Sequence, residues 1–142
     1  MPHDYVPLAC HSWFSLLRGV DSVESVCEGA MRIGARALAL TDVNALYGAL
    51  PFWETARDAG LTPLLGADIR GESETEPRAI LLAASEQGYR RLCRIITERH
   101  RDDYAPSREG GAAFSLADLL RADREGLWVI SPDLPLLEDL AR

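Results

Sequence analysis

The sequence predicts an α/β fold, a single domain over residues 1–142 with about five strands alternating with helices. Three observations carry that reading. Short apolar runs recur at residues 5–11, 37–40, 62–69, 78–84 and 127–130. Stretches with helical apolar spacing lie between most of them, and 142 residues with 47% apolar content suit one buried core. Strands that alternate with helices favour parallel neighbours joined by right-handed crossovers, and such sheets gather ligands at the carboxyl ends of their strands.

Each element has its own local signal. In residues 5–11, Val6, Leu8 and Cys10 alternate with Tyr5, Pro7, Ala9 and His11, the period of a strand with two different faces. Asp21 with Glu24 three residues on reads as a capping box, and Val23, Val26, Cys27, Ala30 and Met31 form a helical stripe stopped by Gly34. Residues 37–40, Ala-Leu-Ala-Leu, are the continuous apolar run of a strand covered on both faces, and they end in Thr41-Asp42-Val43-Asn44. A second helix follows from Pro51 near its start, Phe52, Trp53, Ala56 and Ala59 along it, and Gly60 after it. Residues 62–69 make a third strand with Asp68 near its end.

The acidic stretch 71–77 has too little apolar content to pack and reads as a mobile surface loop. No helix separates the third strand from the fourth, at 78–84, so a hairpin is the alternative to a crossover there. Ser85 caps a helix carrying Tyr89, Leu92, Cys93 and Ile96 on one side. Arg90, Arg91, Arg94, Arg99 and Arg101 crowd this helix and its end; they read as a solvated face, with a nucleic-acid surface as the alternative. Residues 100–113, which hold Pro106 and the Gly110-Gly111 pair, read as a loop. Ser115 with Asp118 caps a short helix, residues 127–130 form the fifth strand, and Asp133 starts a last helix with Pro135, Leu137 and Leu140.

Charge and composition exclude several functions. With 15 basic and 22 acidic residues the net charge is −7, which repels a phosphate backbone and predicts weak or no direct DNA binding. Every basic residue is arginine, so a Schiff-base mechanism has no lysine to use. Cys10, Cys27 and Cys93 are odd in number, widely spaced and set in apolar sequence, which fits reduced buried thiols better than a disulfide framework. The first residues lack the charge pattern and apolar run of a secretory signal, and no run is long enough to span a bilayer. The expected location is cytoplasmic, away from membranes.

His11, Asp42 and Asp68 come from three strands, each at or just past a carboxyl end, and are expected to converge on one rim. Imidazole and carboxylate donors together suit zinc, manganese or iron, and two such ions would make a phosphoester-cleaving centre. Three donors are fewer than a two-metal centre uses. His3 and His100 read as a terminus and a helix end. A rim histidine with no task is the other reading of His11.

The segments LACHSWFSLLRG, ALALTDVNALYGALPFWETARDAGLTPLLGADI, LLAASEQGYRRLCRIITERH and FSLADLL with GLWVIS resemble the amino-terminal part of the PHP (polymerase and histidinol phosphatase) domain. The likeness is greatest to the PHP domain at the front of bacterial DNA polymerase III alpha subunits, the error-prone type included, and it covers nearly the whole chain. It implies a distorted seven-stranded β/α barrel, of which this chain holds the amino-terminal portion, about half. It also implies phosphoesterase or proofreading 3′–5′ exonuclease activity wherever the metal site is intact.

The family's first strand ends in His-x-His-Ser, where this chain has Ala9, His11 and Ser12. Its Thr-Asp-His appears here as Thr41-Asp42-Val43, and its Gly-x-Glu as Gly66-Ala67-Asp68. Two imidazoles are missing, a glutamate is shortened, and the family's remaining ligands lie in a region with no counterpart here. The resemblance thus implies a degenerate metal site with His11 and Asp68 as residual ligands, Ala9, Ser12, Asp42 and Val43 on its rim, and no bound cofactor. It implies a structural or interaction role in a polymerase whose nucleotidyl transfer resides in other domains. The alternatives are an active metal-dependent phosphoesterase or exonuclease, holding zinc or manganese with ligands lent by a second chain, and a free-standing binding module. Expected partners are the remaining polymerase domains or other replication subunits. Open sheet edges of a half-barrel also predict self-association, with Trp13 and Phe14 near such a contact.

Overall fold

The computed structural model describes residues 5–71, 76–104 and 114–142, and the chain divides into two compact units, Met1–Asp68 and Ile69–Arg142. Most of the acidic loop, residues 72–75, and of the second expected loop, residues 105–113, lies outside the described residues. The α/β class holds, with four strands and five helices among those residues.

In the first unit, helix α1 (Val23–Arg32) leads to strand β1 (Ala37–Val43), helix α2 (Ala49–Asp58) and strand β2 (Thr62–Ile69). The cap of α1 is Ser22, whose side chain accepts from the Ser25 amide, and not Asp21; Glu24 sits in the first turn instead. Both helices stop as their glycines predict, with Gly34 at φ 75° and Gly60 at φ 76° taking the left-handed conformation that L residues disfavour. β1 is buried along its whole centre, as a continuous apolar run requires. It pairs in parallel with β2, in a register running from Ala37↔Thr62 to Val43↔Asp68, and α2 makes the connection. Val23, Cys27 and Ala30 of α1, Leu38 and Leu40 of β1, Phe52 and Ala56 of α2, and Leu61 form one core. Met31, expected in the stripe, is exposed, and Trp53 lies at the surface with the Arg57 guanidinium 4.3 Å above its ring.

Residues 5–11 do not form a strand. Pro7 O accepts from Ala39 N at 2.9 Å and Cys10 O accepts from Thr41 N at 2.8 Å. The two bonds are two residues apart on β1 and three apart on the leading segment, so one residue is left over and the ladder is interrupted. Pro7 has no amide proton to contribute. The segment lies beside β1 without the regular hydrogen bonding of a strand.

In the second unit, strand β3 (Ala79–Ala83) is followed by helix α3 (Glu86–Tyr104), helix α4 (Leu116–Ala122), strand β4 (Leu127–Ile130) and helix α5 (Leu134–Leu140). β3 and β4 run antiparallel, in contrast to the parallel pairing expected of a β/α array. α3 continues to Tyr104, so residues 100–104 are helical where a loop was expected; Glu98 and Arg101, three residues apart, form an ion pair that favours the extra turn. Leu92, Ile95 and Ile96 of α3, Leu81 of β3, Leu120 of α4 and Leu136 of α5 are buried. Ser85, Ser115 and Asp133 cap α3, α4 and α5 by accepting from the amides of Gly88, Asp118 and Leu136.

The arginines of α3 are mostly committed within the unit. Arg90 pairs with Glu86, and Arg91 with Asp123 and Glu125, its Nε 2.5 Å from Asp123 Oδ1 but off the N–H axis. Arg99 is buried and donates from Nε to Arg70 O at 2.9 Å. Arg90 and Arg101 are solvated and ion-paired, as expected of that face, whereas Arg91 and Arg99 are largely enclosed.

Burial sets the behaviour of the thiols. It pushes the pKa of Cys10 and Cys27 up from the ordinary thiol value, and that of the Tyr89 phenol likewise. Such a group keeps its proton when the unfolded chain has lost its own, so the folded state binds more protons and stability falls as pH rises. The expected result is an unfolding free energy that is flat near neutrality and declines above about pH 8.5, where unfolded thiols ionise. Urea titrations at a series of pH values check this; stability that rises over the same window would contradict it.

Candidate functional site

The carboxyl ends of β1 and β2 carry the polar residues, and register decides which of them meet. Val43 pairs with Asp68, and Asp42 with Ala67. Paired residues share a face and neighbours along a strand alternate, so Asp42 and Asp68 project from opposite faces. Two separate constellations result, and His11, Asp42 and Asp68 do not converge as one donor set.

On the Asp68 face, His11 Nε2 lies 3.2 Å from Asp68 Oδ2, with the carboxylate fully buried and the imidazole about one-fifth exposed. The Asp68 backbone carbonyl accepts from Asn44 N at 3.0 Å, which fixes the turn after β1 where Asn44 adopts φ 51°. Val43 shares this face and offers no donor atom. Ala9, two residues before His11, is exposed and offers none either.

On the other face, Asp42 is 2% exposed and accepts three hydrogen bonds. Ser12 donates twice, from its amide to Oδ1 at 2.7 Å and from its hydroxyl to Oδ2 at 2.8 Å; Ser15 Oγ donates to Oδ1 at 2.6 Å. Ser15 Oγ in turn accepts from Val43 N at 3.0 Å, so the loop after His11 is tied to the end of β1 through both side chain and backbone. Ser12 and Ser15 are themselves buried. An acceptor with amide and hydroxyl donors enclosed away from water makes these hydrogen bonds costly to lose.

The loop is closed by its own backbone. Trp13 N donates to Asp21 O, and Gly19 N to Ser15 O. Gly19 passes so near Ser12 that a Cβ on it would fall 1.9 Å from Ser12 O. Held this way, the loop exposes Trp13, Leu16, Leu17 and Val20, while Phe14 sits edge-on to Trp13 and 6.4 Å from the Tyr47 ring. Ser15 was not among the residues singled out from sequence; the signal available was Ser12 and Ser15 three apart, closed by a glycine.

Of the donors that the PHP resemblance implies, His11 and Asp68 meet, and Asp42 lies on the other face with its serine partners. Among the described residues no group of three or more His, Cys, Asp or Glu side chains is placed to hold an ion. Both Asp42 oxygens are taken by serine donors, and the His11–Asp68 pair supplies two donors. A closed site takes four, and a catalytic zinc three with one position open.

Comparison with known proteins places these features. A profile of the PHP domain matches residues 7–135. The chain is 35% identical over 130 residues, 84% of its length, to an error-prone DNA polymerase of Pseudomonas savastanoi pv. phaseolicola, and 34% identical over 135 residues, 90% of its length, to one of Anaeromyxobacter dehalogenans. It spans 12% of the length of each of these relatives. Among solved structures, one from Bifidobacterium adolescentis, provisionally named a metal-dependent phosphoesterase, matches with a TM-score of 0.52 and 21% identity over 85% of this chain and 51% of that one. Among the described residues no helix is long and apolar enough to cross a membrane. With the profile covering nearly all of the sequence, this chain belongs to the PHP domain family.

Proposed function

We propose that this chain is the amino-terminal part of the PHP domain of a DNA polymerase III alpha-type, error-prone polymerase, and that it serves that polymerase as a structural module with a degenerate metal site. Its partners are the other domains of the polymerase in the cytoplasm, and its strands form the first portion of a PHP-type barrel. The observation that supports the structural role is the tie made by Asp42, the aspartate of the family's Thr-Asp-His, whose carboxylate accepts three hydrogen bonds that hold the Ser12–Ser15 loop to β1. Ala9 and Val43 stand where the family has imidazoles. What remains of the donor set is His11 and Asp68, and losing one ligand already weakens metal binding by orders of magnitude.

The competing reading is a metal-dependent phosphoesterase or exonuclease, and the meeting of His11 with Asp68 favours it, since both are donors suited to zinc or manganese. Elemental analysis after purification without chelator, with hydrolysis of bis-p-nitrophenyl phosphate in added Mn²⁺, separates the two. The expected outcome is well under one equivalent of zinc or manganese and no metal-stimulated turnover. One equivalent or more together with turnover would overturn the structural reading. The pair Ala9→His and Val43→His is expected to raise Mn²⁺ affinity.

A further inference from the structure

We draw no further inference here: the strongest candidate, the apolar surface patch of Trp13, Leu16, Leu17 and Val20 on the loop tied to Asp42, with Leu17 held at φ 63°, is an unpartnered face, and nothing in the structure shows what covers it.

Discussion

Asp42→Ala is expected to cost about 3–5 kcal/mol of unfolding free energy, a large share of what a domain this size commands. The substitution removes the acceptor for three hydrogen bonds and leaves the Ser12 amide, the Ser12 hydroxyl and the Ser15 hydroxyl buried with a donor each to satisfy. An unsatisfied buried donor costs about 1–3 kcal/mol, and relaxation of the loop toward water recovers part of the sum. Ser15→Ala should cost less, since Asp42 keeps both Ser12 bonds and the main loss is the acceptor for Val43 N. Asp42→Asn should fall between, because its amide carbonyl still accepts. Urea denaturation gives all three values; an Asp42→Ala cost under about 1 kcal/mol would mean that the loop does not depend on this carboxylate.

Gly88→Ala is expected to exceed the usual 1–3 kcal/mol of overpacking, at roughly 3 kcal/mol or more. A Cβ at Gly88 would lie 1.8 Å from Gly126 O and 2.5 Å from Gly126 C, both backbone atoms that cannot swing aside. Gly126 is pinned in turn, by φ 76° and by the bond from Ala84 N to its carbonyl. The first turn of α3 and the entry to β4 would have to part. Gly29→Ala on α1 is the control: the nearest atom to its added Cβ is 3.9 Å away, at the end of an arginine, so it should be neutral or stabilising by up to about 1 kcal/mol. Equal effects for the two glycines would contradict the close approach.

Much of this architecture was legible in the sequence where a local signal has a single physical meaning. The bounds of β2 are those the sequence predicts, because a short apolar run set between Gly60 and Gly71 admits little else. Ser85, Ser115 and Asp133 were read as caps because short oxygen-bearing side chains before an apolar stripe satisfy free amides. The sequence reading puts the cap of α1 at Asp21, and the structure puts it at Ser22; two capping side chains adjoin, and backbone geometry chooses between them. Residues 5–11 alternate as a strand does, yet Pro7 and a leftover residue interrupt the ladder, which alternation alone does not reveal.

The site was legible as a list and not as a geometry. His11, Asp42 and Asp68 each stand at a strand end, but whether they face one another depends on register, and a shift of one residue reverses a side chain's face. The pairing of Val43 with Asp68 sends Asp42 to the other side, where Ser12 and Ser15 hold it. Antiparallel pairing of β3 with β4 was hidden for a similar reason: strand direction is set by the connection, and short apolar strands look alike in either sense.

The central claim, that Asp42 serves as a structural tie and the His11–Asp68 pair is not a metal centre, is tested most directly by the unfolding free energy with and without Mn²⁺ or Zn²⁺. A ligand that binds only the folded state at about one hundred times its Kd adds about 2.7 kcal/mol. The account predicts no change beyond error at about 1 mM Mn²⁺, in the chain with His11, Asp42 and Asp68 intact. A stabilisation of that size, abolished by His11→Ala, would contradict it.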